Sequence, residues 1–278
     1  MQVTPSEFVV SAPGCTTPPP DAAWEALEEA ELTPDTLSAL FDNRIPMIRI
    51  PGMASAEECA RFSDVLRGAP FVLYENFSPP IGRVGPAQFE AGAKGKGHYF
   101  TQVAEASATR ASLCEAAGFD PLERLFRALR EQANLPLRAA VEPGGHGHYF
   151  VGMLRHIQER NRLHLDYGPN DGPDWTIGAV EAQIAWNLYL CAPADSGACV
   201  VYNRPWVPDD ERFKVPDAPG YYESLVEGRQ AKRMQPRAGD AILFNCRNFH
   251  EIEHASSARI SMSAFVGRLS CSDFIIWS

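Results

Sequence analysis

The apolar positions change texture along this chain. Up to about residue 140 they fall mostly at helical spacing. From about residue 147 they fall in short β-rich runs separated by turns, at 147–156, 162–167, 179–190, 198–202, 233–235, 241–245 and 258–267. In the first part, residues 22–31 read as a short helix, Ile45–Ile50 as a strand closed by Pro51-Gly52, and Ser55 with Glu58 as a capping box. That box opens a helix to about Arg67, with Ala60, Phe62, Val65 and Leu66 as its buried stripe. Two more helices are expected at 104–117 and 121–134, the second started by Asp120-Pro121. Helices followed by a strand meander predict an α+β fold, with helices packed on one face of an antiparallel sheet system. Seven or eight short strands predict a double-sheet jelly roll or barrel.

No linker divides the chain, so residues 1–278 read as a single domain. Residues 1–22, with Pro18-Pro19-Pro20, form an extended arm; 23–140 hold the first strand and supporting helices; 141–278 hold the jelly-roll core, with a lid insertion at about 203–232. The Gly- and Pro-rich stretch 75–97 is a long loop of the kind that often carries function.

Composition removes several function classes. The formal charge is −10, which argues against nucleic-acid partners, since that affinity rests on neutralising phosphates. No apolar run is long enough to span a bilayer. The first residues lack the basic and apolar regions of a signal peptide, so a cytoplasmic protein is expected. The seven cysteines are scattered without a Cys-x-x-Cys pair and read as free thiols, Cys246 among them as a small core residue.

The candidate chemistry is sparse: His164-Leu165-Asp166, then His250, then Arg259. Two imidazoles and a carboxylate are the ligand set of a mononuclear non-haem Fe(II) site with open positions. On a strand, His164 and Asp166 project to one face. His250 must come from another strand or turn; placed after Gly239-Asp240 and the strand Ala241–Phe244, it is expected just past a strand end, at the mouth of a barrel. Alternation also puts Arg259, Ser261 and Ser263 on one face. A buried arginine requires an anionic partner, and the far carboxylate of 2-oxoglutarate would supply one, with the Ser261 hydroxyl assisting. Zinc takes the same ligands in hydrolases, but that reading leaves Arg259 and Ser261 without a role. His146-Gly-His148 is simpler as a turn into a strand, and His98, His156 and His254 as surface or core residues.

The order His164-x-Asp166, Gly239-Asp240, His250, Arg259-x-Ser261 resembles the Fe(II)/2-oxoglutarate-dependent oxygenase superfamily. The opening Ile45–Glu58 segment resembles its entry strand and helix, and the likeness covers most of the chain from about residue 44. It implies a double-stranded β-helix (cupin-like) core, with Fe(II), 2-oxoglutarate and O2 as metal and co-substrates. More narrowly, the chain is similar to a small-molecule branch that holds the welwitindolinone-type halogenases and the N-succinyl amino-acid hydroxylase. Those halogenases carry a small residue where this chain has Asp166, so the resemblance implies hydroxylation.

The expected substrate is a small molecule, a free or N-substituted amino acid or related metabolite. The resemblance implies a cationic anchor for its carboxylate, for which Arg83 in the 75–97 loop is the candidate; the plain alternative is a solvated loop arginine. Arg204 and Trp206 open the second long segment and are candidates to close over the substrate, with a structural tryptophan as the alternative. Tyr149 and Arg155, placed on the strand before His164, are candidates to touch the oxo acid. Desaturation, cyclisation or halogenation are the alternatives within the same chemistry, and a non-catalytic β-barrel binding protein is the alternative from another class. The chain is silent on oligomeric state.

Overall fold

A computed structural model describes residues 23–75, 77–216 and 218–278. The expected arm at 1–22 lies outside them. The helices are α1 (Pro34–Phe41), α2 (Ala56–Leu66), α3 (Gly95–Ala117), α4 (Pro121–Ala133) and the single turn α5 (Gly168–Asp171). The strands are β1 (Met47–Ile50), β2 (Val72–Leu73), β3 (Ile81–Val84), β4 (Leu137–Ala139), β5 (Val141–Glu142), β6 (Gly147–His148), β7 (Met153–Ile157) and β8 (Asn161–His164). They continue with β9 (Ala182–Cys191), β10 (Cys199–Pro205), β11 (Ala231–Met234), β12 (Ala241–Asn245), β13 (Asn248–Ile252), β14 (Arg259–Ser270) and β15 (Asp273–Trp277).

The larger sheet runs β1-β12-β9-β14-β7-β3-β2, with β15 also paired to β14 and β4 to β15. The smaller runs β11-β10-β13-β8, and β5-β6 form a separate hairpin. Every pairing is antiparallel except β4 with β15. The α+β expectation therefore holds, with two antiparallel sheets. No helix among the described residues is long and apolar enough to cross a membrane.

Strand alternation divides the large sheet into two chemically different faces. Ile184, Trp186, Leu188 and Leu190 of β9, Ile260, Met262, Ala264 and Val266 of β14, and Leu243 of β12 share a core with Phe62 of α2 and with Leu125 and Leu129 of α4. The intervening residues face the small sheet: Ala185 and Tyr189 of β9, Ile242 and Phe244 of β12 and Met47 of β1 join Leu163, Cys199, Val201 and Phe249 in a second core. Each large apolar side chain buried in either core contributes about 1.5–3 kcal/mol. The functional side chains lie between the two sheets, inside this second core.

The helix starts follow their caps. Ser55 and Glu58 form the reciprocal capping box of α2, and Asp120 caps Leu122 at α4 with Pro121 in the first turn. The buried stripe of α2 is Cys59, Phe62 and Leu66, while Ala60 is exposed. The expected helix at 22–31 is absent from its described part, residues 23–31. That stretch is irregular, Ala30 bridges Ile48, and two of its acids, Glu25 and Glu29, pair with Arg44 and Arg49. The helix begins instead at Thr33-Pro34, where Thr33 and Thr36 cap each other. The 75–97 stretch is not all loop, for it contains β3 and runs into α3. The 203–232 segment is packed rather than loose: the Tyr221 amide donates to Leu163 O at 2.9 Å, and the Tyr221 ring meets Phe249 at 4.9 Å.

Gly239-Asp240 is the tight turn expected before β12. Gly239 has φ +91°, and a Cβ there would lie 2.4 Å from the Ala54 carbonyl oxygen. The same turn exchanges backbone bonds with Tyr189 at 2.8 and 3.1 Å, while the Asp240 carboxylate accepts from Arg49 at 2.9 Å and from the Gly52 amide at 3.0 Å. It thus ties the β1–α2 corner to β9. Gly239→Ala is expected to cost about 2–3 kcal/mol, because the conformation and the contact both forbid a side chain; the change in urea unfolding midpoint measures it.

Candidate active site

His164 ends β8 and His250 sits within β13, directly opposite in register. The expectation that His250 lies past a strand end is thereby corrected: His250 is buried within the strand, where it faces the site, and Asn248 at the strand start is buried against Asn43; their polarity concealed the strand in the sequence. Asp166 lies two residues beyond β8 rather than on it, held by its amide bond to Cys246 O at 3.1 Å. One ligand atom from each of His164, Asp166 and His250 lies within 4.8 Å of the others. The two imidazole rings are 4.2 Å apart, and His250 Nε2 is 3.5 Å from Asp166 Oδ2.

The backbone selects the tautomers. His164 Nδ1 lies 2.6 Å from Arg162 O and His250 Nδ1 lies 2.9 Å from Asn248 O. A carbonyl only accepts, so each Nδ1 carries the hydrogen and each neutral ring presents a bare Nε2. His164 Nε2 accepts from Asn161 Nδ2 at 3.1 Å. Burial, reinforced by the neighbouring His250, pushes His164 down to about 3. Asp166 is buried as well, which opposes its ionisation, yet its polar surroundings, His250 and the charged Arg155 among them, hold its carboxyl well below the usual range. Two imidazoles that turn Nε2 inward and a carboxylate are a donor set ready for a divalent cation. The residues present therefore fit a metal.

A small cavity joins these ligands to Arg259. β7 lends Arg155 to its wall, β9 lends Ala185 and Asn187, β12 lends Phe244, and β14 lends Arg259, Ser261, Ser263 and Phe265. Arg259 is 3% exposed and Ser261 1%. The guanidinium donates to the Tyr189 hydroxyl at 3.1 Å and lies over that ring at 4.8 Å, but its Nε has no partner. No carboxylate among the described residues forms an ion pair with it. A desolvated cation–π contact is worth about 2 kcal/mol, whereas burying a charge costs several kcal/mol even after relaxation. The shortfall calls for an anion in the cavity.

A second cavity shares Asp166, Arg155 and Phe265 with the first and is otherwise lined by Tyr74, Gln88, Phe89, Met153, Asp171 and Gln183, among others. Arg155 has an unpartnered Nε and lies 5.7 Å from the Phe265 ring centroid. Asp171 lines this cleft at an exposed position, and desolvation by the neighbouring chain, with the charge of Asp166 adding, raises its carboxyl above the usual range.

Of the residues expected at the site, the structure brings together His164, Asp166, His250, Arg155, Arg259 and Ser261. Four others stand elsewhere. Tyr149 precedes β7 and donates to Glu142, which Lys96 and the Thr176 amide also satisfy; it lines neither cavity. Arg83 is neither a free anchor nor a solvated loop residue, because it pairs with Glu90, donates to Gly85 O and lies 5.1 Å from the Tyr74 ring centroid, behind the second cavity. Arg204 is taken up by Asp210 at 2.6 Å and by Pro205 O. Trp206 donates to Glu211 at 2.9 Å, with its ring 6.1 Å from Tyr167. Sequence reasoning missed Asn187 and Tyr189, which the alternation along β9 places on the inner face, and Asn161, Tyr74 and Asp171, which no local pattern marks.

No family model matches the chain. It is 40% identical over 204 residues to the leucinostatins biosynthesis cluster protein S of Purpureocillium lilacinum, covering 70% of this chain and 82% of that one. It is 27% identical over 270 residues to the L-γ-glutamyl-L-propargylglycine hydroxylase of Streptantibioticus cattleyicolor, covering 92% and 97%. Among solved structures it shares the fold of an N-substituted L-amino acid dioxygenase from Burkholderia ambifaria in complex with α-ketoglutarate, with a TM-score of 0.52 and 17% identity over 88% of this chain and 90% of that one.

Removing a ligand tests the donor set directly. Asp166→Asn keeps the shape but removes the charge. Partners of metal ligands alone are worth about 10–100-fold in affinity, so loss of a ligand charge is expected to weaken Co(II) or Ni(II) binding by about 100-fold. Competition against a fluorescent chelator measures it.

Proposed function

Because this chain belongs to the Fe(II)/2-oxoglutarate-dependent oxygenases, we propose that it hydroxylates an unactivated C–H bond of a small amino-acid-like molecule. The observation that carries this reading is the single cavity with a three-residue metal site at one end and the buried, unneutralised Arg259 at the other. 2-Oxoglutarate matches both ends. Its far carboxylate supplies the anion that Arg259 lacks, with Ser261 donating beside it. His164, Asp166 and His250 at the other side of the cavity would hold a metal to which its oxo-acid end could bind, and Arg155 at the junction of the two cavities would offer a cation nearby.

When bound, Fe(II) with 2-oxoglutarate and O2 supplies the oxidising power, and the oxo acid ends as succinate and CO2. The protein's own part is positional. His164 and His250 are held by carbonyls in the tautomer that leaves Nε2 free. Phe244, Ile252 and Phe265 close the walls against water. We read the two antiparallel sheets as a double-stranded β-helix, which is how strands far apart in sequence deliver these side chains to one space. Asp166 is the reason to read hydroxylation rather than halogenation, because its carboxylate fills the place that a halide would need. The small-substrate reading draws support from the hydroxylase relative, whose named substrate is a γ-glutamyl amino acid.

The test is steady-state succinate formation. Arg259→Gln is expected to raise KM for 2-oxoglutarate about 30-fold or more, the effect of ~2 kcal/mol for losing one partner of an enclosed charge pair. An unchanged KM would remove Arg259 from the oxo-acid site. In high chloride the wild-type enzyme should give hydroxylated and no chlorinated product by mass spectrometry.

A further inference from the structure

The large sheet turns one more cation toward the cavities than the chain neutralises there. On β7, Arg155 lies directly opposite Arg83 of β3 on one side and Ser261 of β14 on the other. Opposite residues of an antiparallel pair project to the same face, and like charges so placed repel. Arg83 has its own carboxylate in Glu90 and donates to Gly85 O. Arg155 has no such partner: among the described residues no aspartate or glutamate forms an ion pair with it, and its Nε is unpartnered. The acid whose charge reaches it is Asp166, and that carboxylate belongs to the metal site. An enclosed guanidinium without an anion is costly, and folding alone gives no reason for a second arginine beside Arg83.

Arg155 stands in the wall between the two cavities. His164, His250 and Arg259 do not line the second cavity, so an anion that meets Arg155 from that side is a different molecule from the oxo acid held at Arg259. Charge balance points the same way. With the first cavity loaded, four positive charges (two on a divalent metal, one each on Arg155 and Arg259) would face three negative ones (Asp166 and the two carboxylates of 2-oxoglutarate). Asp171 does not make up the difference. It is exposed, and it already accepts from the Tyr167 amide at 3.2 Å and the Asn170 side chain at 3.1 Å. Beyond Arg155 the second cavity offers an apolar wall of Ala87, Phe89, Met153, Phe265 and Trp277.

We infer that Arg155 binds a carboxylate of the substrate through its guanidinium fork, with the substrate's apolar part against Phe89, Met153 and Phe265. The substrate class is therefore an apolar amino acid, free or N-substituted, whose own carboxylate is free, as opposed to an amide, an ester or an internal residue of a longer peptide. A carboxamide would leave the excess charge unmatched and set N–H groups against the N–H groups of the guanidinium. The inference rests on the oxygenase reading of the adjoining metal site, which supplies the charges counted in the first cavity.

The experiment uses the full chain with Fe(II) and 2-oxoglutarate and follows succinate release. The probes are leucine, methionine and phenylalanine with their N-acetyl and L-γ-glutamyl derivatives, each beside the compound that differs only in carrying a C-terminal carboxamide. Wild type should respond to the acids at least about tenfold better, in kcat/KM, than to their amides. Calorimetric titration of the Ni(II)- and 2-oxoglutarate-loaded protein, which does not turn over, should give the same order in Kd. Arg155→Gln should collapse both ratios toward one and Arg155→Lys should keep part of them, while a merely structural role would lower acid and amide alike and leave the ratios intact. Preference for the amides, an intact ratio in Arg155→Gln, a raised KM for 2-oxoglutarate in that variant with the ratio intact, or 2-oxoglutarate consumption that no acid stimulates would each overturn the inference and leave the oxygenase reading standing. No consumption of 2-oxoglutarate with any compound would sink both. If Arg155→Gln fails to fold, the wild-type preference and Arg155→Lys decide.

Discussion

The guanidinium of Arg259, buried between two sheets without a carboxylate, is the constraint on which the interior depends. Its outward neighbours on the strand, Ile260 and Met262, are ordinary core residues packed toward the helices. Apolar side chains at 259, 261 and 263 would have been worth about 1.5–3 kcal/mol each to the fold. The chain instead places a cation and two hydroxyls there, and surrounds them with Tyr189, Asn187 and the metal ligands. Such an interior makes sense as one half of a complex, stable in its own right because the outer face of the same strands is almost wholly apolar.

The remaining geometry serves to hold the charge pattern still. Gly239-Asp240 locks Tyr189, the residue against which Arg259 leans, to the first strand and second helix. Backbone carbonyls two residues upstream set both histidines in the same tautomer. Asp166 is pinned by Cys246 on one side and Gln183 on the other. From Asp166 to Asp171 the chain passes from the metal site to the second cavity within a single turn.

Much of this was legible in the sequence where a local rule fixes the outcome. The capping box at Ser55–Glu58, the Asp120-Pro121 start and the alternation that groups Arg259, Ser261 and Ser263 each depend on only a few neighbouring residues. The failures share a different cause. Strand β13 was hidden because two of its buried residues are polar, His250 for the site and Asn248 for its bond to Asn43. The acidic stretch before Thr33 looked helical, but its carboxylates are drawn to Arg44 and Arg49 across the chain. Arg83 looked like a free anchor, and what neutralises it is Glu90, seven residues on along an irregular stretch whose folding no periodicity reveals.

The central claim is that His164, Asp166 and His250 form a metal site that shares one cavity with an oxo acid held by Arg259. The most direct measurement is an anaerobic titration of the metal-free protein with Fe(II) followed by 2-oxoglutarate, monitored in the visible. A weak charge-transfer band should appear only when both are present, and should be missing in His164→Ala. No band in the wild-type protein, or the same band in His164→Ala, would contradict the account.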